Sequence, residues 1–426
     1  MQETRYKMGK DTVIRNLIEE KNVVTLFQPI ISLRDKRVIG FEALSRGLCS
    51  STGRVIQPLE LFSMARADGC DTELDRLCRK TALRSFKSIQ GHEQFILFLN
   101  LDTSVIDQTD REATKFTKEY TDEMGLDYSS ISLEIVESKI DNVERLAEFV
   151  EHYRKLGYYV SLDDFGAMHS NMNRIAISKP DIIKIDMGLI KNVCSNYYQQ
   201  SILSSIIDLA KKTGALTLAE GLETQEDVVK CYELGIDLYQ GFYFYRPCVD
   251  VYSNIPFIEE KIDYIVLQIK NKLTENVLIR KNQHSGFDYI IDMLKRECAG
   301  KTMDGYVDFI KKQLLNFEEI ERVFILDNDG QQFFESIINS SIRLKKPRSF
   351  MMIQESHSDH SLKDYFYYLD KIDADRFYTD TYLSAVTGRI LRTMSCRIEL
   401  DGTSYVICVE FVDAASGSVN IKKLGA

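Results

Sequence analysis

The sequence of 426 residues has no tryptophan, six histidines, six prolines and no cysteine pair in a CxxC spacing. Scattered histidines without an HExxH motif offer no nitrogen-rich metal centre, so a bound metal is expected to take oxygen ligands. The nine cysteines (Cys49, Cys70, Cys78, Cys194, Cys231, Cys248, Cys298, Cys396 and Cys408) are odd in number and dispersed. They read as reduced, mostly buried thiols of a cytoplasmic protein, neither a disulfide framework nor a zinc site. No apolar run approaches the roughly 20 residues that span a bilayer. The opening ten residues are too polar for a secretory signal. Positive charge is also short, with 54 Lys and Arg against 64 Asp and Glu and a formal charge of −10. That balance disfavours a DNA or RNA backbone as partner.

What is present is a 44% hydrophobic chain long enough for two or three domains. Short apolar runs alternate with amphipathic stretches through the first ~250 residues, the pattern of a parallel α/β fold. The runs are 38–41, 95–99, 131–133, 158–162, 182–185 and 215–219. At or just past their ends stand Glu42, Asn100, Glu134, Asp163-Asp164, Lys184 with Asp186, and Glu220; Gln240 follows 236–239 in the same way. A single acidic residue there would be an ordinary helix cap. A whole series suits a (βα)8 barrel, which collects side chains from its strand ends into one mouth.

Glu42, Asn100, Glu134, Asp163, Asp164 and Glu220 supply only oxygen donors, which suit Mg2+ or Mn2+, and adjacent aspartates can place a carboxylate between two ions. Paired divalent ions are a recurrent device for in-line attack on phosphate esters. Lys184 beside them could hold the attacking water or offset developing negative charge. The residues alone therefore point to metal-assisted phosphodiester hydrolysis.

At these positions the chain resembles the EAL-domain phosphodiesterases, which hydrolyse cyclic di-GMP. Phe27-Gln28-Pro29-Ile30 and Gly40-Phe41-Glu42-Ala43-Leu44-Ser45-Arg46-Gly47 match the family's opening motifs, and Leu74-Asp75 fits the helix that follows. Leu99-Asn100-Leu101, Leu133-Glu134-Ile135-Val136-Glu137, Asp163-Asp164-Phe165-Gly166, Ile183-Lys184-Ile185-Asp186, Glu220-Gly221-Leu222-Glu223-Thr224 and Gln240-Gly241-Phe242 complete the order, over roughly 25–247. The resemblance implies a TIM-like (βα)8 barrel with one strand reversed, and cleavage of cyclic di-GMP to linear pGpG with two divalent ions and no organic cofactor. It assigns Glu42, Asn100, Glu134 and Asp163 to one ion, and Asp163, Asp164 and Glu220 to the other. Lys184, Glu42 and Glu220 would be catalytic. Gln28, Leu44, Arg46, Asp186, Glu223 and Gln240 would face the substrate, with Arg46 on a phosphate. Glu137 would brace the loop after Asp164, and the family suggests a homodimer.

That loop departs from the family pattern as Ala167-Met168-His169-Ser170-Asn171, where Met168 replaces a glycine. An alternative reading is therefore a cyclic di-GMP receptor with little turnover. Beyond the barrel (1–250), Ile262, Val266, Ile269 and Leu273 space a connecting amphipathic helix (251–285). It could carry a signal, form a dimer seam or simply pack on its own domain. Residues 286–426 read as a smaller α+β domain, with a helix-like stretch over 289–317 and a hairpin about Asp401-Gly402. This part loosely resembles a PAS- or Cache-type sensor, which would regulate the barrel and could take a small ligand.

Overall fold

The computed structural model describes residues 13–50, 52–101, 112–136, 143–167, 172–314, 316–340, 357–371, 374–384 and 387–413. The chain divides into two compact units, Met1–Asn271 and Lys272–Ala426.

In the first unit eight strands close into a barrel: β1 (Val23–Ser32), β2 (Arg37–Leu48), β4 (Ile96–Leu101), β5 (Ile131–Val136), β6 (Tyr159–Phe165), β7 (Ile182–Ile185), β8 (Leu216–Ala219) and β9 (Leu238–Tyr239). A two-residue strand, β3 (Val55–Ile56), pairs with the end of β2. Neighbours from β2 round to β9 are parallel, whereas β1 is antiparallel to both β2 and β9. The expected barrel with one reversed strand is therefore present.

Side-chain alternation along these strands explains where the polar residues go. Ile30, Phe98, Ile182, Leu218 and Leu238 form a buried apolar layer. A step of two residues returns to the same face of a strand. Two positions beyond those residues stand Asn100, Lys184, Glu220 and Gln240; on β1, which runs the other way, Gln28 comes two positions before Ile30. Residues of the opposite parity, such as Leu97, Leu133, Leu162, Ile183 and Ala219, pack against Phe86, Val150, Ile207 and Val228 from the surrounding helices. Apolar strands with polar residues at one end thus give a barrel with a dry lower interior and a charged mouth.

Gly40 lets β2 approach β4. A Cβ there would lie 2.3 Å from the Ile96 carbonyl oxygen, a backbone atom held by the parallel ladder.

The second unit has a six-stranded sheet of β10 (Ile320–Leu326), β11 (Ile337–Ile338), β12 (Arg376–Tyr378), β13 (Tyr382–Leu383), β14 (Ile390–Leu400) and β15 (Thr403–Val412). Its order is β11-β10-β15-β14-β12, with β13 also on β14, and every pairing is antiparallel. Val323, Ile325, Met394 and Ile407 pack on Ile291, Leu294, Tyr306 and Ile310, while Phe324, Leu326 and Cys408 pack on Phe366 and Leu369. Helices thus cover both faces, an α+β arrangement. The hairpin forms at Asp401-Gly402, both with positive φ, as a tight two-residue turn requires.

Two helix expectations change. The 289–317 stretch is not one helix: helix Ile255–Glu297 ends and Met303–Leu314 begins after Gly300, at φ 71°. The connecting helix expected over 251–285 runs instead over Ile255–Glu297, 43 residues, with Ile258, Ile262, Ile265 and Ile269 buried in the first unit's core and Leu273 exposed. That burial favours packing on its own domain for this segment.

Two glycine substitutions should have opposite signs in urea denaturation. Gly40→Ala overpacks β2 against immovable backbone and should lose about 1–3 kcal/mol. Gly286→Ala, in open space on helix Ile255–Glu297 with no positive φ, should gain about 0.5–1 kcal/mol.

Candidate functional site

The charged mouth is organised around Lys184, whose side chain is 1% exposed. Its Nζ lies 2.6 Å from Glu134 Oε1, 2.8 Å from both Asp163 Oδ1 and Glu220 Oε1, and 3.7 Å from Glu42 Oε1. These carboxylates come from β5, the end of β6, the residue after β8, and β2. Asn100 Nδ2 donates to Glu42 Oε1 at 3.1 Å, and Gln240 Nε2 donates to Glu42 Oε2 and, at 3.2 Å, to Gln28 Oε1.

Asp163 and Asp164 are adjacent, and a regular strand would send them to opposite faces. The β6–β7 register shifts between Leu162 and Phe165, and Asp164 adopts φ 55°. This left-handed conformation, tolerated by Asp, turns the second carboxylate toward the mouth. Ligand atoms of Asp163, Asp164 and Glu220 all lie within 4.8 Å of one another.

The electrostatics follow from burial among like charges. Burial alone would favour a neutral Lys184, but Asp163, Glu134, Glu220 and Glu42 together hold its pKa well above the ordinary lysine range. Burial raises Glu134 well above the usual carboxylate range against the pull of Lys184, with Glu42 and Asp163 reinforcing the rise. Glu220 is pushed up to about 8, first by burial, opposed by Lys184 and reinforced by Asp163 and Glu42. Formally, five carboxylates against one ammonium leave four negative charges uncompensated.

This donor set fits hard divalent ions: every candidate ligand is an oxygen, and the buried Glu134 Oε2 has no hydrogen-bond partner among the described residues. Above it opens a cleft of about 290 Å3 lined by Gln28, Glu42, Asp163, Asp164, Lys184 and Glu220, with Glu223, Gln240, Met187, Gly221, Gly241 and Phe242.

Residues 12–247, more than half of the chain, match the EAL domain family. The chain belongs to this family. Its similarity to the Bacillus subtilis protein YkuI, an uncharacterized EAL-domain protein, is 24% identity over 389 residues, covering 88% of this chain and 91% of YkuI. The crystal structure of YkuI, in complex with substrate cyclic di-GMP and calcium, has the same fold over 95% of this chain and 99% of that one, with TM-score 0.72 and 21% identity. Escherichia coli PdeI, a probable cyclic di-GMP phosphodiesterase, is 28% identical over 242 residues, and Pseudomonas aeruginosa NbdA, a cyclic di-GMP phosphodiesterase, 27% over 237. Each match covers 55% of this chain but only 30% of the relative's length.

The EAL barrel brings together Gln28, Glu42, Asn100, Glu134, Asp163, Asp164, Lys184, Glu220 and Gln240, and sets Glu223 exposed on the cleft lining. Leu44 and Arg46 continue the same side of β2 beyond Glu42, half-buried and outside the cleft lining. Burial lowers the Arg46 pKa while Glu42 opposes that shift. Asp186 lies outside the cleft lining; its Oδ1 accepts from Gly188 N at 2.8 Å and caps the short helix Met187–Ile190. Glu137 and the segment from Met168 and His169 to Asn171 lie outside the described residues. Met187 and Phe242, exposed apolar residues on the lining, were not anticipated; Phe242 carries Arg246 over its ring at 4.3 Å. The aromatic directly after Gln240-Gly241 was the available sequence signal.

Lys184→Met would leave the carboxylates without their cation. In EDTA it should lower stability by about 3–5 kcal/mol, the scale of breaking a buried ion pair. Urea denaturation with and without divalent ions would check this, added ions recovering part of the loss.

Proposed function

We propose that this chain hydrolyses cyclic di-GMP to linear pGpG, with water attacking one phosphodiester in line and the opposite ester oxygen leaving. The observation that carries the reading is the convergence of Glu42, Glu134, Asp163 and Glu220 on Lys184 at the floor of one cleft. Membership of a family whose relatives are named cyclic di-GMP phosphodiesterases supports the substrate.

Two divalent ions, Mg2+ or Mn2+, would be held by Glu42, Asn100, Glu134 and Asp163 on one side and by Asp163, Asp164 and Glu220 on the other. When bound they supply Lewis-acid polarisation of the phosphodiester and lower the pKa of the attacking water. The chain's own residues do the rest. Lys184 offers a buried cation to a water or to negative charge developing on phosphorus. Gln240 fixes Glu42 and Gln28 by hydrogen bonds, so the ligand carboxylate enters the reaction already oriented. Glu223 and Gln28, on the cleft lining, would face the polar edges of the substrate, and Arg46, further along β2, would contact a phosphate. The second unit, with a core of its own, would act as a regulator. Nine free cysteines suit a reducing cytoplasm.

Purified full-length protein with cyclic di-GMP and Mg2+ or Mn2+ should release pGpG, resolved by chromatography. Glu42→Ala and Glu220→Ala should slow release about a hundredfold or more. Product no faster than in Glu42→Ala would refute the hydrolase reading; tight nucleotide binding without product would identify a receptor instead.

Metal affinity should depend on pH. Glu134 and Glu220 carry raised pKa values and must lose protons to become ligands. Affinity for Mn2+, followed by calorimetry, should therefore rise with pH through about 8.

A further inference from the structure

The contacts of Lys184 carry a consequence beyond its role near the reacting phosphate. Three carboxylate oxygens stand within 2.6–2.8 Å of Nζ, as many as an ammonium group has protons. Two of them belong to Asp163 and Glu220, which also form a compact carboxylate group with Asp164. A third belongs to Glu134, and Glu42 stands at 3.7 Å. The ammonium thus touches oxygens assigned to both ion positions at once.

We propose that Lys184 is an internal counter-cation that competes with divalent ions for Asp163, Glu134 and Glu220, and that its ammonium must give up these contacts before the ions bind. The inference rests on the reading of this mouth as a divalent-ion site. A hard ion such as Mg2+ requires oxygen contacts of about 2.0–2.1 Å, and it would need the same atoms that surround Nζ. A monovalent and a divalent cation sharing those oxygens in a buried site repel each other strongly. An ammonium crowded by three carboxylate oxygens also has no N–H left for an attacking water. Withdrawal on ion entry resolves both conflicts: it frees the ligand oxygens and turns Lys184 into a donor for water or phosphate. Residue 184 then sets the ion concentration at which the site fills, and it ties readiness for chemistry to that filling.

Two measurements on the full-length protein test this without relying on activity. The first is calorimetric titration with Mn2+ of the unsubstituted protein and of Lys184→Met. Removing the competing charge should tighten binding at least about tenfold. Equal or weaker binding by a folded Lys184→Met protein would overturn the proposal. The second needs no loss of the lysine and stands even if that variant fails to fold. In spectra of protein labelled with 15N at lysine Nζ, a protected ammonium signal in EDTA, assigned by its absence from Lys184→Arg, should shift or lose protection as Mg2+ saturates the site. A signal unchanged at saturation overturns the proposal while leaving the divalent-ion reading intact. Absence of Mn2+ binding by the unsubstituted protein overturns both.

Discussion

One ammonium group in a dry place constrains this barrel. An unpaired charge at the position of Lys184 would be intolerable, and pairing it with a single carboxylate would scarcely offset the desolvation of both. The fold surrounds it with four carboxylates, from β2, β5, β6 and the end of β8. Only Asp163 and Glu220 come from strands beside β7; Glu134 and Glu42 reach Nζ because the sheet curls round into a ring. Barrel closure and charge compensation therefore depend on each other. The same network also fixes register. A slip of one residue in β5 or β6 would turn Glu134 or Asp163 out among the helices and bring Leu133 or Leu162 into the mouth.

Closure itself has a weak point, and the site strengthens it. The seam between β1 and β9 has a single registered pair, Ile31 with Tyr239, because β9 is only two residues long. Two supplements hold it. Phe27 and Cys248 exchange backbone hydrogen bonds of 2.8 and 3.1 Å just beyond the end of β9. Gln240, which follows β9, donates its side-chain amide to Gln28 on β1 and to Glu42 on β2. Polar groups of the cleft lining thus also stitch the reversed strand into the ring.

Much of this was legible in the sequence because buried parallel strands are so uniformly apolar that a polar residue at one end is conspicuous. Asn100, Glu134, Lys184 and Glu220 could be picked out for that reason, although all but Glu220 lie within strands and not past their ends. The Asp401-Gly402 hairpin was legible because its cause is local. The reversal of β1 was not, since nothing in residues 23–32 encodes direction; it came only from the family resemblance. Asp186 shows the opposite limit. It follows a strand as Glu220 does, yet its Oδ1 caps a helix, the ordinary role of an acidic residue there. Met187 was not singled out, and Gly221 and Phe242 entered only as members of family motifs, because the mouth's rim has no periodic signature.

At the mouth of the barrel, the Asp163-Asp164 pair breaks the local rule of its strand. Two ions sharing a ligand call for neighbouring carboxylates on one side, while the pleat of a strand sends neighbours apart. The conflict is resolved by giving up ladder pairing between Leu162 and Phe165 and by placing Asp164 at φ 55°. Gly166, at φ 97°, continues the departure, and a Cβ there would meet Leu189 Cδ1 at 2.3 Å. A helix cap needs no such distortion, as Asp186 demonstrates at the end of the next strand, β7. Strain is retained where the surroundings over-determine it, and here it is retained to gather charge that folding alone would disperse. The bulge at Asp164 is therefore a stronger sign of an ion-binding role than the number of acidic residues around it.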